Sequence, residues 1–332
     1  VAKPKIAFYW CASCGGCEEA VVDLNEALLT VADAVDIVLW PVALDFKRKH
    51  VEAMDDNEIA VSFINGAVRL DEQCEMVELL RRKSQLIVAF GACAHLGGIP
   101  GLGNFYSKKT IFETAYANSP SLDDSAGTLP QQRSQVPEGE LTLPKFYDTV
   151  QTLDQTIDVD YYLPGCPPPP DLIQSAVEAI LTGNLPEKGA VLAPAKALCD
   201  TCPRADSKPE RLSVDDVRRP WEIKIDPETC FLAQGLICAG PATRTGCGET
   251  CIRANQPCRG CFGPVADAGE QGARMLSMVA SILGVDGEDE MSDDQVQRLI
   301  DRIADPAGTF YRYSLPVSTL KRKRIQGLGG QE

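Results

Sequence analysis

Short apolar runs rich in Val, Ile and aromatic residues recur through the first half of the chain. They are Lys5–Trp10, Val35–Trp40, Ile59–Ile64, Leu86–Gly91 and Val159–Leu163. Helical spacing fills several of the gaps. After the first run, Ala20, Leu24, Ala27, Leu28 and Val31 recur on one helical face. Between the third and fourth, Asp71–Lys83 places Cys74, Val77 and Leu80 together. After the fifth, Pro170 and Asp171 open a helix that runs through Leu181, and Gly183 stops it. Strand and helix in alternation predict an α/β domain with a parallel sheet covered on both faces. Ligands of such sheets bind beyond the strand ends.

Residues 118–144 interrupt the pattern with a polar stretch containing Pro120, Gly127, Pro130 and Pro137. A segment of this length reads as a loop inserted into the α/β domain. Beyond about Ala190 the character changes, which divides the chain into domains 1–190 and 191–332. The second has no strand series, and Pro, Gly and charged residues separate its cysteines. It is expected to have little core of its own and to be held together by metal. Two helices close it: Ala268–Leu283, and one capped by Ser292 with Gln295 three residues on, a capping box.

Composition narrows the chemistry. The 332 residues carry 32 Lys and Arg against 47 Asp and Glu, a net charge of −15, which argues against nucleic acid as a partner. The basic run Lys321–Arg322–Lys323–Arg324 reads as a solvated tail, with a partner-docking patch as the alternative. No apolar stretch is long enough to span a membrane. The first residues lead straight into a strand with no secretory or twin-arginine leader, so the expected location is the cytoplasm. There are 14 Cys and only 2 His. A reducing compartment disfavours disulfides, which leaves metal ligation as the leading use. Scarce histidine argues against catalytic zinc and non-haem iron.

Cysteine positions follow the predicted strands. Cys11, Cys14 and Cys17 lie where the first strand turns into a helix through Gly15 and Gly16. That turn exposes N–H groups and favours bound negative charge. A bacterial ferredoxin spacing is not met, because Val21 stands at its fourth position. Cys93 follows the fourth strand and Cys166 the fifth, so a parallel sheet brings both to the edge that carries Cys14 and Cys17. Gly98, Gly101 and Gly103 superficially suggest a dinucleotide loop, but their order is wrong and Pro100 spoils the helix start. The second domain holds Cys199-x2-Cys202, Cys230-x7-Cys238, Cys247-x3-Cys251 and Cys258-x2-Cys261. These eight thiols make two four-Cys sites, and on spacing alone structural zinc competes with iron–sulfur clusters.

Taken together, the Cys14-Gly-Gly-Cys17-Glu18 turn, the Cys93 stretch ending Gly97-Gly98-Ile99-Pro100 and Pro164-Gly165-Cys166-Pro167-Pro168 resemble the small subunit of [NiFe] hydrogenases. Over about the first 270 residues the sequence is most similar to the cytoplasmic methyl-viologen-reducing type, which works beside heterodisulfide reductase. The resemblance implies a flavodoxin-like first domain and an irregular cluster-binding second one. It further implies three 4Fe–4S clusters: a proximal one on Cys14, Cys17, Cys93 and Cys166, a distal one on Cys199, Cys202, Cys230 and Cys238, and a medial one on Cys247, Cys251, Cys258 and Cys261. Cys199 stands where many relatives have a histidine. Cys251 adds a fourth thiol where periplasmic relatives hold a 3Fe–4S centre, implying a more reducing medial cluster. The implied role is electron transfer from the Ni–Fe centre of a large subunit to a further iron–sulfur or flavin subunit linked to heterodisulfide reductase. No bond-making step falls to this chain.

Alternatives differ in testable ways. A quinone-reductase-type or membrane hydrogenase-like subunit would share only the first domain. A zinc-stabilised scaffold or adaptor would use the same thiols without redox activity. Cys74 reads as a buried structural thiol and Cys11 as an inert neighbour of the proximal site. Glu18 reads as a helix cap, with proton relay as the alternative. His95 reads equally as a structural histidine or a donor to a cluster sulfur.

Overall fold

The computed structural model describes residues 3–123, 127–284 and 292–320. The basic run at 321–324 and Asp124, Ser125 and Ala126 of the polar insertion lie outside them. Strands are β1 (Lys5–Trp10), β2 (Asp36–Leu39), β3 (Ile59–Asn65), β4 (Val68–Leu70), β5 (Ser84–Phe90), β6 (Arg133–Val136), β7 (Gly139–Thr142), β8 (Phe146–Gln151) and β9 (Tyr161–Leu163). Helices of the first half are α1 (Gly16–Val22), α2 (Glu26–Ala34), α3 (Arg48–Glu52), α4 (Asp71–Lys83), α5 (Ala92–Leu96), α6 (Lys108–Tyr116) and α7 (Pro170–Thr182).

The predicted strands form one five-stranded parallel sheet in the order β2-β1-β3-β5-β9. Alternate side chains go to opposite faces. Ile6, Phe8, Val61, Phe63, Val88 and Phe90 face Ala20 and Val21 of α1 and Ile173, Ala176 and Val177 of α7. Ala7, Ile64, Ile87 and Ala89 face Val51 of α3 and Met76, Val77 and Leu80 of α4. Val77 and Leu80 are fully buried, and burying a side chain of that size stabilises by roughly 1.5–3 kcal/mol. The chain order reverses direction across the sheet at β1, and the crevice between the carboxyl ends of β1 and β3 is the ligand-binding position of such folds.

Two expectations for the first half need correction. The periodic run Ala20–Val31 is two helices, not one, because Asn25 takes a positive φ of 52° and its side chain turns back onto the Asp23 carbonyl at 2.9 Å; asparagine tolerates that region better than most residues. Residues 118–144 are not loop throughout: β6 and β7 pair as an antiparallel hairpin around Pro137 and Glu138. Just beyond it, β8 pairs with β4.

The second half is built differently. It has helices α8 (Thr250–Arg253), α9 (Gln271–Ala280), α10 (Asp293–Asp301) and α11 (Pro306–Phe310), several 3-10 turns, and no strand among the described residues. The Ser292 N–H donates to Gln295 Oε1 at 2.8 Å, as a capping box requires. Contrary to expectation this half does have a core. Leu198, Val217, Phe231, Leu236, Met275, Val279, Leu299 and Phe310 are buried together, with Cys238 and Cys258 among them. The two halves meet smoothly: Tyr162 of β9 exchanges backbone hydrogen bonds with Ala190 (3.1 Å) and Leu192 (2.8 Å) before the chain leaves the sheet.

Candidate functional site

Register brings the cysteine loops together. Trp10 lies opposite Asn65, Asn65 opposite Phe90, and Phe90 opposite Leu163. The loops beginning at Cys11, Gly91 and Pro164 therefore leave the sheet side by side. The Gly91 N–H donates to the Leu163 carbonyl (2.8 Å) and the Ala92 N–H to the Gly165 carbonyl (2.7 Å), tying the Cys93 loop to the Cys166 loop. Gly91 has a φ of +85°, and a Cβ there would fall 2.4 Å from Cys17 Sγ. A Cβ on Gly98, with φ +56°, would fall 2.5 Å from Cys93 Sγ. Only glycine fits either place.

Cys14, Cys17, Cys93 and Cys166 form one electrostatic group. Burial first, then the charges of Cys93, Cys166 and Cys14, push the Cys17 thiol up. Burial, Cys166 and Cys14 push Cys93 up to about 12, while the Ile99 N–H pulls the other way. Burial and Cys14 raise Cys166. Like charges crowded this closely stay protonated unless a cation compensates them.

The other eight thiols fall into two more groups. Burial, then Cys238, Cys202 and Cys230, push Cys199 up to about 12. A Cβ on Gly240 would lie 3.2 Å from Cys199 Sγ and 3.6 Å from Cys238 Sγ, so both sulfurs flank that glycine. Burial lifts Cys238 to about 11 against N–H groups of Gly240 and Cys258. Arg204, just after Cys202, lies 3.9 Å over the Phe231 ring and donates to the carbonyls of Asp226 and Thr229, both at 3.0 Å, and to Asn255 Oδ1 at 2.6 Å. It thereby pins the Cys202 and Cys230 loops together. In the third group, burial, then Cys166, Cys247 and Cys251, push Cys261 up to about 12. Cys258 is raised by burial, then by Cys238, with Cys261 adding to it. Gln271 Nε2 holds this turn through the Gly260 carbonyl at 2.9 Å.

The groups form a row. Cys166 of the first touches Cys261 of the third, and Cys258 of the third touches Cys238 of the second. Among the described residues no three His, Cys, Asp or Glu side chains converge to clasp a single metal ion. One zinc at Zn–S of about 2.3 Å draws its sulfurs nearly into contact. A multi-iron core instead carries one thiolate on each iron.

The remaining candidates separate. Cys11 packs on the face of the sheet opposite Cys17, with Cys74 as its charged neighbour. Cys74 is half-buried rather than buried, and its thiol reaches Glu78 Oε1 at 3.6 Å. Glu18 does not cap α1. It is buried, accepting from Asn65 Nδ2 at 2.6 Å and from Trp40 Nε1, and burial raises its pKa against these two bonds. The His95 ring packs tilted against Tyr162, centroids 4.6 Å apart, and its Nδ1 has no hydrogen-bond partner; burial lowers its pKa to about 3. Trp40, Asn65, Arg204 and Gln271 were not anticipated. Trp40, the last residue of a predicted strand, and Asn65, just past the end of another, carried a positional signal; Arg204 and Gln271 carried none.

Comparison with known proteins gives the family. A family model described as the 20 kDa subunit of NADH ubiquinone oxidoreductase matches residues 14–180. The iron–sulfur subunit of the F420-non-reducing hydrogenase of Archaeoglobus profundus is 43% identical over 322 residues, covering 96% of this chain and 98% of that protein. The corresponding F420-non-reducing hydrogenase subunit of Methanothermobacter thermautotrophicus is 36% identical, covering 97% of each. A [NiFeSe] hydrogenase structure from Desulfovibrio vulgaris Hildenborough shares the fold, with a TM-score of 0.51 at 17% identity over 81% of this chain and 96% of that one. The thiols of this chain fit iron–sulfur clusters: they are all-sulfur sets, partly or fully buried except at the exposed Cys14, Cys166 and Cys251, with backbone N–H groups on several sulfurs and glycines where a side chain would collide. The chain belongs to the hydrogenase small subunits of the F420-non-reducing, methyl-viologen-reducing type, the iron–sulfur electron-transfer partners of a large hydrogenase subunit.

Proposed function

We propose that this chain binds three 4Fe–4S clusters and relays electrons through them from the Ni–Fe centre of the large subunit to a further redox subunit. The proximal ligands are Cys14, Cys17, Cys93 and Cys166; the medial ones Cys247, Cys251, Cys258 and Cys261; the distal ones Cys199, Cys202, Cys230 and Cys238. The observation that carries this reading is the row of three four-thiol groups, joined at Cys166–Cys261 and at Cys258–Cys238.

Clusters bound there supply one-electron storage. The chain's residues do the rest. The apolar layer of Leu198, Phe231, Met275 and Val279 excludes water behind the medial and distal thiols. N–H groups of Ile99, Gly240, Gly260 and Cys166 point at sulfur and favour its negative charge. Cys14 and Cys166 are exposed at the strand-end edge, so the large subunit is placed over that edge in an extensive obligate interface. The further subunit, an iron–sulfur or flavin protein linked to heterodisulfide reductase, is placed at the distal set. A reducing cytoplasm suits so many free thiols. A zinc scaffold is the lesser reading, because a relative 43% identical to this chain is an iron–sulfur subunit of a hydrogenase.

Exposing the anaerobically purified complex to dihydrogen tests the proposal. Bleaching of the visible iron–sulfur absorbance, reversed by an added electron acceptor, is expected. A complex whose spectrum is unchanged by both dihydrogen and dithionite would refute it.

A further inference from the structure

The chain carries a net charge of −15, yet its second half gathers arginines in one place. Arg218, Arg219, Pro220, Ile237, Arg259 and Thr309 line a single cleft. Ile237 directly precedes Cys238 and Arg259 directly follows Cys258, so the cleft flanks the meeting point of the second and third thiol groups. Arg219 and Arg259 are half-buried. Among the described residues no carboxylate pairs with either side chain. The acids of the same segment are engaged elsewhere: Asp216 holds Arg218 at 3.1 Å and Arg302 at 3.5 Å, and Glu222 holds Arg302 at 3.0 Å. Arg312, three residues after Thr309, adds its charge. Burial first, then Arg312 and Arg219, lower the Arg259 pKa, and Cys238 opposes them.

A guanidinium does not lose its proton in a protein. Half-buried like charges repel where water screens them poorly. Cys238 offers Arg259 a counter-charge from within, but Arg219 has none among the described residues. Beside the cleft stands Trp221, 78% exposed, with its ring centroid 5.9 Å from the Arg219 guanidinium. Tryptophan and arginine are the side chains that concentrate binding energy in protein interfaces.

We propose that Arg219, Arg259 and Trp221 form the docking surface for a carboxylate-rich face of the electron-accepting subunit. The proposal deepens the relay reading and rests on it. Charge selects the partner: the acidic remainder of this chain repels such a face, which therefore seats on the arginine cleft in one orientation. Position selects it too. The cleft is built wholly from the second half and borders Cys238 of the distal set, whereas the large subunit is placed over the strand ends of the first half.

Arg219→Glu and Trp221→Ala alter the surface without changing a residue next to a thiol. Each complex is purified anaerobically, and retention of the electron-accepting subunit is followed by size-exclusion chromatography across a sodium chloride series. The unsubstituted complex is expected to release that subunit as salt rises. Each variant is expected to bind it about tenfold more weakly and to release it at lower salt. The large subunit, the iron and sulfide content and dihydrogen-dependent viologen reduction are expected to stay unchanged. Equal retention in all three complexes would overturn the proposal. Release of the large subunit in its place would overturn it as well, and so would loss of iron from the Arg219→Glu complex, because the arginines would then serve the thiol sets. An unsubstituted complex without labile sulfide would instead sink the relay reading, and the assignment of this partner with it.

Discussion

The backbone N–H of Cys166 donates a hydrogen bond to the sulfur of Cys261. One residue lies at the end of the parallel sheet, the other in the irregular second half, 95 positions later in the chain. The contact joins the two halves where their thiol groups meet. Cys261→Ser should therefore remove one thiol of the medial set while leaving the sheet intact. Iron content is expected to fall by roughly a third and one EPR signal to disappear or convert, if each set holds one cluster. An unchanged iron count would show that Cys261 is not a ligand.

Gly91→Ala tests the crowding at the strand ends. The new Cβ would sit 2.4 Å from Cys17 Sγ, at a φ of +85°. Backbone strain of this kind costs of order 1–3 kcal/mol, and the sulfur must move as well. Thermal unfolding at lower temperature together with loss of proximal iron is expected. Gly127→Ala, with no atom within 4 Å of the new carbon, is the control for φ alone, since Gly127 also has a positive φ of 62°.

Asp160 anchors the start of β9, three residues before the strand ends and the Cys166 loop begins. Its carboxylate pairs with Arg81 at 2.6 Å and with the more exposed Lys188 at 2.5 Å, and accepts the Ile87 N–H at 2.8 Å. Burial opposes ionisation, but these donors outweigh it and hold the pKa below the usual value. A depressed folded pKa contributes stability that is full above the ordinary Asp value of about 3.9 and is lost as pH falls through the folded value. Asp160→Asn is expected to destabilise by about 1–3 kcal/mol at neutral pH. The difference from the unsubstituted protein should shrink in acid, read by denaturant unfolding at several pH values.

Arg204→Lys keeps the charge and loses the fork. Three hydrogen bonds and the stack on Phe231 depend on the planar guanidinium. Destabilisation of about 1–3 kcal/mol is expected, with faster loss of distal iron to a chelator. A chelation rate equal to that of the unsubstituted protein would show that the Cys202 and Cys230 loops are held by other contacts.

The parallel sheet was readable because its signal is local. Lys5–Trp10 and Asp71–Lys83 have the limits that their composition predicts. From strand ends alone, Cys14, Cys17, Cys93 and Cys166 could be placed at one edge. Short or irregular pieces carried less signal. Val68–Leu70 is a three-residue strand recognisable only through its partner Phe146–Gln151. The core of the second half uses Val214, Val217, Phe231 and Leu236 in turns, where neither a helical nor a strand period exists to be seen. The burial of Glu18 against Trp40 and the return of Pro316 onto Gly97 are tertiary contacts between distant segments, with no trace in local pattern.

Quantifying iron, zinc and acid-labile sulfide in the anaerobically purified complex tests the central claim most directly. The account predicts iron and sulfide in nearly equal amounts, roughly four of each for every four-thiol group, with no stoichiometric zinc. Zinc at about one per group with no labile sulfide would contradict it.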